Sequence, residues 1–397
     1  MEIEEIAAVD LANILHPTAG RKTAENGELL EPHASIYPYD VKLDYGDVLL
    51  VPGTATSVAS RKDVDLCSSV EFSGQEQVRY EGVPVMAANM DGVGSLAMAR
   101  ALAEHRIFTC LAKTHTTSAL VEFFRSDERL RDYSAVTIGL RPENIQVFRE
   151  VSDALGGLGY ACLDVANGHT MRFVEFVGRF RKEFPNTVII AGNVATPEQT
   201  SFLAEAGADL IKVGIGAGSV CETRIKTGVG YPQLSAVLEC AAAARAVDAK
   251  IVADGGCTCP GDVAKALAAG ASFVMLGGMF AGHREGGGKI VASRFASGEV
   301  DAEGRPVIRE RRFVQFYGMS SQLANEKHFD GLKPWKTSEG REVLLPFKPS
   351  LRDTLRDLLG GLRSTCTYVG AKSISKLPER ARFVRCHDTH NRVFENM

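Results

Sequence analysis

The chain has 397 residues, 45% of them hydrophobic and 24% charged, with a net charge of −4; this is the composition of a globular protein of one large or two medium domains. It provides no whole-chain basic field for nucleic acid, and no run approaches the ~20 apolar residues of a membrane helix. Nine cysteines, an odd number without framework spacing, and an acidic start (Met1-Glu2-Ile3-Glu4-Glu5) point to a reduced, cytoplasmic protein rather than a secreted disulfide scaffold.

Residues 1–37 read as an N-terminal extension with a short amphipathic helix. From residue 83 a unit repeats in which a short apolar run precedes a helix-patterned segment. The runs are 83–90, 107–113, 134–140, 160–166, 187–193, 209–216, 251–256 and 273–278. They are bounded mostly by Gly, Asn or Asp, as buried parallel strands are. Between two of them, Val174, Val177, Phe180 and Phe184 recur at helical spacing. Thr196-Pro197 opens another helix as N-cap and first-turn proline, and Cys259-Pro260 opens one in the same way. Eight strands alternating with helices predict a (β/α)₈ TIM barrel; an open doubly wound sheet, the alternative, usually has fewer strands. The eighth helix is displaced to 350–363, leaving a long excursion over 279–349 between strand eight and helix eight. Such length implies function or partial mobility, and residues 284–311, rich in Gly, Arg and Glu, suit a flexible arm. The barrel with this arm spans 38–370, and 371–397 form a basic tail.

Catalytic groups of such barrels lie at the C-terminal strand ends, and the unusual residues fall there. Strand one ends in Asn89-Met90-Asp91 and strand two in Lys113, which must enter the bowl or meet a carboxylate. Strand four ends in Asp164-Val165-Ala166-Asn167-Gly168-His169, strand five in Gly192-Asn193. Strand six runs into Gly214-Ile215-Gly216-Ala217-Gly218-Ser219-Val220-Cys221-Glu222-Thr223-Arg224. Three glycines in five residues permit a sharp turn close to a ligand, and Cys221 at its tip, beside an arginine, is a candidate nucleophile. Strands seven and eight end in Asp254-Gly255-Gly256 and Gly277-Gly278. Loops after these strands bind phosphate through backbone N–H groups in many barrels, and Asp254 suits a ribose diol. The pattern points to a nucleoside monophosphate. Cys257-Thr258-Cys259 is too closely spaced for a usual zinc knuckle.

These segments, with Asp44-Tyr45-Gly46-Asp47-Val48-Leu49-Leu50, Tyr317-Gly318-Met319-Ser320-Ser321, Ser338-Glu339-Gly340 and Arg363-Ser364-Thr365-Cys366-Thr367-Tyr368, resemble the IMP dehydrogenase/GMP reductase family over roughly residues 40–370. The loops at 221–233 and 281–287 resemble its reductase branch, and no regulatory module interrupts the barrel after strand two. The resemblance implies reductive deamination of GMP to IMP with NADPH, through a covalent thioimidate on Cys221. Thr223 and Glu339 match a proton relay to the departing ammonia. Asp254, Gly255, Gly256, Gly277, Gly278, Gly318, Met319, Ser320, Lys336, Ser338 and Gly340 match GMP contacts. Ser60, Arg61, Lys113, Asp164, Val165, Ala166, Ile215 and Gly216 match dinucleotide contacts. So do Ser364, Thr365, Cys366 and Thr367, expected beyond the last helix and lent to a neighbouring subunit of a homotetramer. Gly216, Gly218, Cys221 and Arg224 match a potassium (K+) site. Two departures stand out: Trp335-Lys336 replaces Tyr-Arg, and about 15 extra residues lie around 289–312. A lysine does not reproduce a bidentate arginine contact. No membrane or nucleic-acid partner is implied.

Overall fold

Apolar runs buried on both faces become the strands of a closed parallel barrel: β1 (Arg79–Ala87), β2 (Ile107–Cys110), β3 (Ser134–Ile138), β4 (Tyr160–Asp164), β5 (Val188–Val194), β6 (Leu210–Val213), β7 (Lys250–Asp254) and β8 (Phe273–Leu276). Each pairs with the next, and β8 closes on β1 through Val274 opposite Val85. The computed structural model describes residues 41–74, 78–328, 330–387 and 389; the expected extension at 1–37 and the end of the basic tail lie outside them. β1 starts four residues before the apolar run because its first residues pair with an antiparallel strand, Ser68–Glu71. At this end of the barrel Tyr80, Phe108, Tyr160 and Phe273 meet edge to face at centroid distances of 4.9–6.0 Å, filling its base.

The helices are α1 (Leu96–Ala103), α2 (Thr117–Ser126), α3 (Pro142–Leu155), α4 (Met171–Glu183), α5 (Pro197–Glu205), α6 (Gln233–Ala246), α7 (Pro260–Ala268) and α8 (Arg352–Val369). Their starts follow local chemistry. Ser95, Thr116, Thr170 and Thr196 each accept an N–H from the first turn, and Pro opens α3, α5 and α7. Phe173, Phe176, Val177 and Phe180 form the buried stripe of α4. No helix among the described residues is long and apolar enough to cross a membrane.

Two expectations change. Helix α8 does not end at 363. Leu355, Leu358, Leu362, Cys366 and Val369 continue its buried face, so Ser364–Thr367 lie inside its last turns rather than beyond it. Residues 284–311, expected as a flexible arm, instead form most of a hairpin. β9 (Ile290–Val300) pairs antiparallel with β10 (Pro306–Tyr317), whose last residues, Phe313–Tyr317, also pair with β11 (Glu342–Pro346). The outer part of the hairpin is a two-stranded ribbon. The first part of the basic tail is built in too: Phe383–Arg385 pairs with Val48–Leu50.

Candidate active site

The loop after β6 has the backbone that its glycines require. Gly214 has φ +156°, and a Cβ there would stand 1.9 Å from the Asp254 carbonyl oxygen. The loop then rises to Cys221 and a single helical turn at Thr223–Thr227.

Across it lies a short piece of the excursion. Cys221 forms an antiparallel bridge with Gly340. The Glu222 N–H donates to the Glu339 carbonyl (2.7 Å), and the Arg341 N–H donates to the Val220 carbonyl (3.0 Å). This pairing brings three side chains into line. The Cys221 thiol donates to Thr223 Oγ1 (3.2 Å), and the Thr223 hydroxyl donates to Glu339 Oε2 (2.8 Å). A nucleophile, a hydroxyl and a carboxylate separated by 118 positions in sequence thus form one hydrogen-bonded chain, the arrangement that proton transfer to or from a leaving group needs. Arg224 does not serve the thiol as sequence proximity suggested: its guanidinium binds Asp44 (3.1 Å) and the Tyr231 carbonyl (2.6 Å).

Of the other residues expected to contact GMP, several adjoin the cysteine loop or the segment across it. Gly318 packs on Gly340, where a Cβ would meet its Cα at 3.1 Å and the Val220 carbonyl at 2.7 Å. The Ser320 carbonyl accepts the Glu339 N–H (3.3 Å), and the Ser338 hydroxyl donates to the Gly340 carbonyl (2.9 Å). Met319 Sδ accepts the Asp91 N–H (3.5 Å). Gly255 lies against Ala217 and Gly218, and Gly278 against Ser219. Lys336 is exposed. A cavity of about 760 Å³ opens beside Gly278, Ser219 and Phe316. It borders the cysteine loop at Val220 rather than at Cys221, which Gly340 overlies.

The residues expected to contact a dinucleotide divide into two groups. Lys113, Asp164, Val165, Ala166, Ile215 and Gly216 are at the strand ends. Lys113 has found its carboxylate, Asp164 Oδ1 at 2.7 Å. Burial pushes Asp164 up, but Lys113 and Lys212 outweigh it and hold the carboxyl well below the usual range. Ser60 and Arg61 are elsewhere, on a turn packed against α8, and Thr56 donates to the Thr367 carbonyl (3.3 Å). Helix α8 packs against α7 and the Arg61–Asp63 turn, with Cys366 on its buried face and Ser364, Thr365 and Thr367 half-buried beside it.

Three further residues that were given no ligand contact from the sequence contribute to the site. Lys212, within the apolar run of β6, is 1% exposed and lies 2.6 Å from Asp164 Oδ2. Asn193, at the end of β5, donates to Asp254 Oδ2 (2.8 Å) and the Gly214 carbonyl (2.9 Å). Asp91 receives the Tyr317 hydroxyl (2.6 Å), His328 Nε2 (2.6 Å) and Lys327 Nζ (3.3 Å), so it ties the excursion to the end of β1. Asp91 and Asn193 were visible as polar strand ends, and Lys212 left its signal as a charge amid buried strand residues.

A barrel with a thiol–hydroxyl–carboxylate chain over paired-glycine loops defines an enzyme of nucleotide chemistry. Residues 42–393 match the family model described as "IMP dehydrogenase / GMP reductase domain". The chain is 46% identical over 357 residues to GMP reductase 2 of Mus musculus, covering 90% of this chain and 98% of that protein. It is 46% identical over 355 residues to GMP reductase 2 of Homo sapiens, covering 89% and 97%, and 47% identical over 356 residues to GMP reductase of Aeromonas hydrophila, covering 89% and 98%. The chain belongs to the IMP dehydrogenase/GMP reductase family of oxidoreductases.

Proposed function

We propose that this enzyme converts GMP to IMP and ammonia with NADPH. The observation that carries the reading is the Cys221–Thr223–Glu339 chain. The Cys221 sulfur adds to C2 of the guanine, and the C2–N bond breaks as Glu339, acting through Thr223, delivers a proton to the departing amine. A thioimidate remains on Cys221. A bound NADPH supplies hydride to C2; the C–S bond then breaks and the thiolate is restored. With the proton that charges ammonia, GMP + NADPH + 2H⁺ gives IMP + NH₄⁺ + NADP⁺.

Phosphate is assigned to the backbone at Gly255, Gly256, Gly277 and Gly278, ribose to Asp254, and the base to Gly318–Ser320 and Lys336–Gly340. The ionised, partly exposed Asp164 beside Lys113 fits the hydroxyl or amide donors of a dinucleotide. Ser60, Arg61 and Ser364–Thr367 serve a neighbouring subunit of a homotetramer. The neutral carbonyls of Gly216, Gly218, Cys221 and Arg224 suit a hard monovalent cation such as K+. Those of Gly218 and Arg224 already accept N–H groups from Cys221 and Gly228 (3.0 and 3.1 Å), and each keeps a second lone pair.

Purified protein with GMP and NADPH is expected to lose NADPH absorbance and release ammonia in equal amounts. The arm has Trp335-Lys336 and no Arg-Tyr dipeptide with which to activate water. XMP formed from IMP and NAD at a comparable rate would overturn the reductase assignment.

A further inference from the structure

Beneath the strand ends lies a cluster to which the reaction scheme gives no task. Lys212 on β6 is almost wholly enclosed. Its ammonium is 2.6 Å from Asp164 Oδ2 at the end of β4 and 3.4 Å from Asp254 Oδ2 at the end of β7. The two carboxylates therefore meet in one buried cation, although they end strands three apart around the barrel. Each also has its own second partner: Lys113 on Asp164 Oδ1 (2.7 Å) and Asn193 on Asp254 Oδ2 (2.8 Å). Burial disfavours charge on Lys212, and Asp164, Cys162 and Asp254 together keep it protonated.

Stability alone is a weak reason for such a group, since apolar replacements of buried ion pairs are often neutral or stabilising. A geometric reason is stronger. A compact ammonium with three donors can serve two carboxylates and fix the distance between them. On the reading above, Asp254 faces the ribose of GMP and Asp164 faces the dinucleotide. We propose that Lys212 is a positioning residue that couples these two ligand sites by holding both carboxylates with one ammonium. The unequal distances give the coupling a direction. The cation lies nearer Asp164 than Asp254, and hydrogen-bond donors arriving at either carboxylate change its share of the ammonium.

The test is steady-state kinetics of Lys212→Met, with Asp164→Asn and Asp254→Asn as separate variants. Lys212→Met is expected to raise KM for both GMP and NADPH by about tenfold or more, the scale seen when the groups supporting a ligand-binding residue are removed. Its kcat should change much less. Asp254→Asn should raise KM for NADPH as well as for GMP, and Asp164→Asn should raise KM for GMP as well as for NADPH. A Lys212→Met enzyme in which only one KM moves, or in which kcat falls with both KM values intact, would overturn the coupling. If that variant does not fold, the two carboxylate variants decide: each raising the KM of its own ligand alone also overturns it. Wild-type protein that does not turn over GMP with NADPH defeats the functional reading itself, an outcome separate from any behaviour of the variants.

Discussion

A hydroxyl stands between the thiol of Cys221 and the carboxylate of Glu339, and that order determines what each substitution does. On the proposed reaction, Cys221→Ala removes the atom that bonds to C2 and leaves the assigned phosphate and ribose contacts. Turnover should fall by at least about 10²-fold while calorimetry still detects GMP binding. Glu339→Gln keeps the shape and loses the acid. Ammonia release should slow by about 10²–10⁴-fold, and hydride transfer, followed from IMP and NADP⁺ with and without ammonia, should slow far less. Equal slowing of both would reduce Glu339 to a shaping role. Asp91 acts through charge. Burial raises its pKa, but Tyr317, His328 and Lys327 bring it below the ordinary carboxylate value. A depressed carboxylate contributes stability above its unfolded pKa and loses it as pH falls through the folded one. Asp91→Asn should therefore lower Tm by a constant amount above about pH 4, and the gap to wild type should close in more acidic solution.

At the level of elements, the excursion is two devices of different consequence. Its inner part, Phe313–Tyr317 with Glu342–Pro346, supports the segment that reaches Cys221. Its outer ribbon pairs with nothing further among the described residues, and two-stranded ribbons are at best marginal alone. Replacing residues 293–310 by a short turn should leave kcat within a few-fold of wild type; a collapse of activity would show that the ribbon shapes the site. The eight strands were legible because strands buried on both faces read as apolar runs. The ribbon was not, because its residues are mostly exposed and runs such as Arg309-Glu310-Arg311-Arg312 lack the apolar pattern of a buried strand. The last turns of α8 were missed because Ser364, Thr365 and Thr367 are weak helix formers, whereas the buried stripe through Leu362, Cys366 and Val369 decides the matter in three dimensions. Cys221 was legible as a cysteine at the tip of a Gly-rich turn, and Thr223 and Glu339 were named through family resemblance. Asn193 was visible only as a polar strand end and Lys212 only as a charge in an apolar run, because their roles arise when the ends of β4 to β7 are brought round the barrel.

For the molecule as a whole, the proposed split of the dinucleotide contacts into two groups would make assembly part of catalysis. If α8 of one subunit completes the dinucleotide site of its neighbour, dissociation should weaken NADPH far more than GMP. A tetramer is expected by light scattering, and dilution to monomers should raise KM for NADPH while GMP binding persists. A fully active monomer would contradict this. Exchanging K+ for Na+ should lower turnover if the carbonyls around Cys221 hold a potassium ion, and no change would remove the metal assignment.

The bridge between 220–222 and 339–341 sets a tolerance on mutation along the chain. A strand advances about 3.3 Å per residue and turns alternate side chains to opposite faces. A slip of one position would carry the Glu339 carboxylate beyond the 2.8 Å at which it now meets Thr223 and aim it away. Residues 330–335 carry no such constraint, because their length can change without altering which residue faces which. A single inserted residue should be tolerated there and be lethal between Glu339 and Arg341. The exposed Trp335 can thus change freely, while the three positions that follow Ser338 stay locked to the cysteine loop.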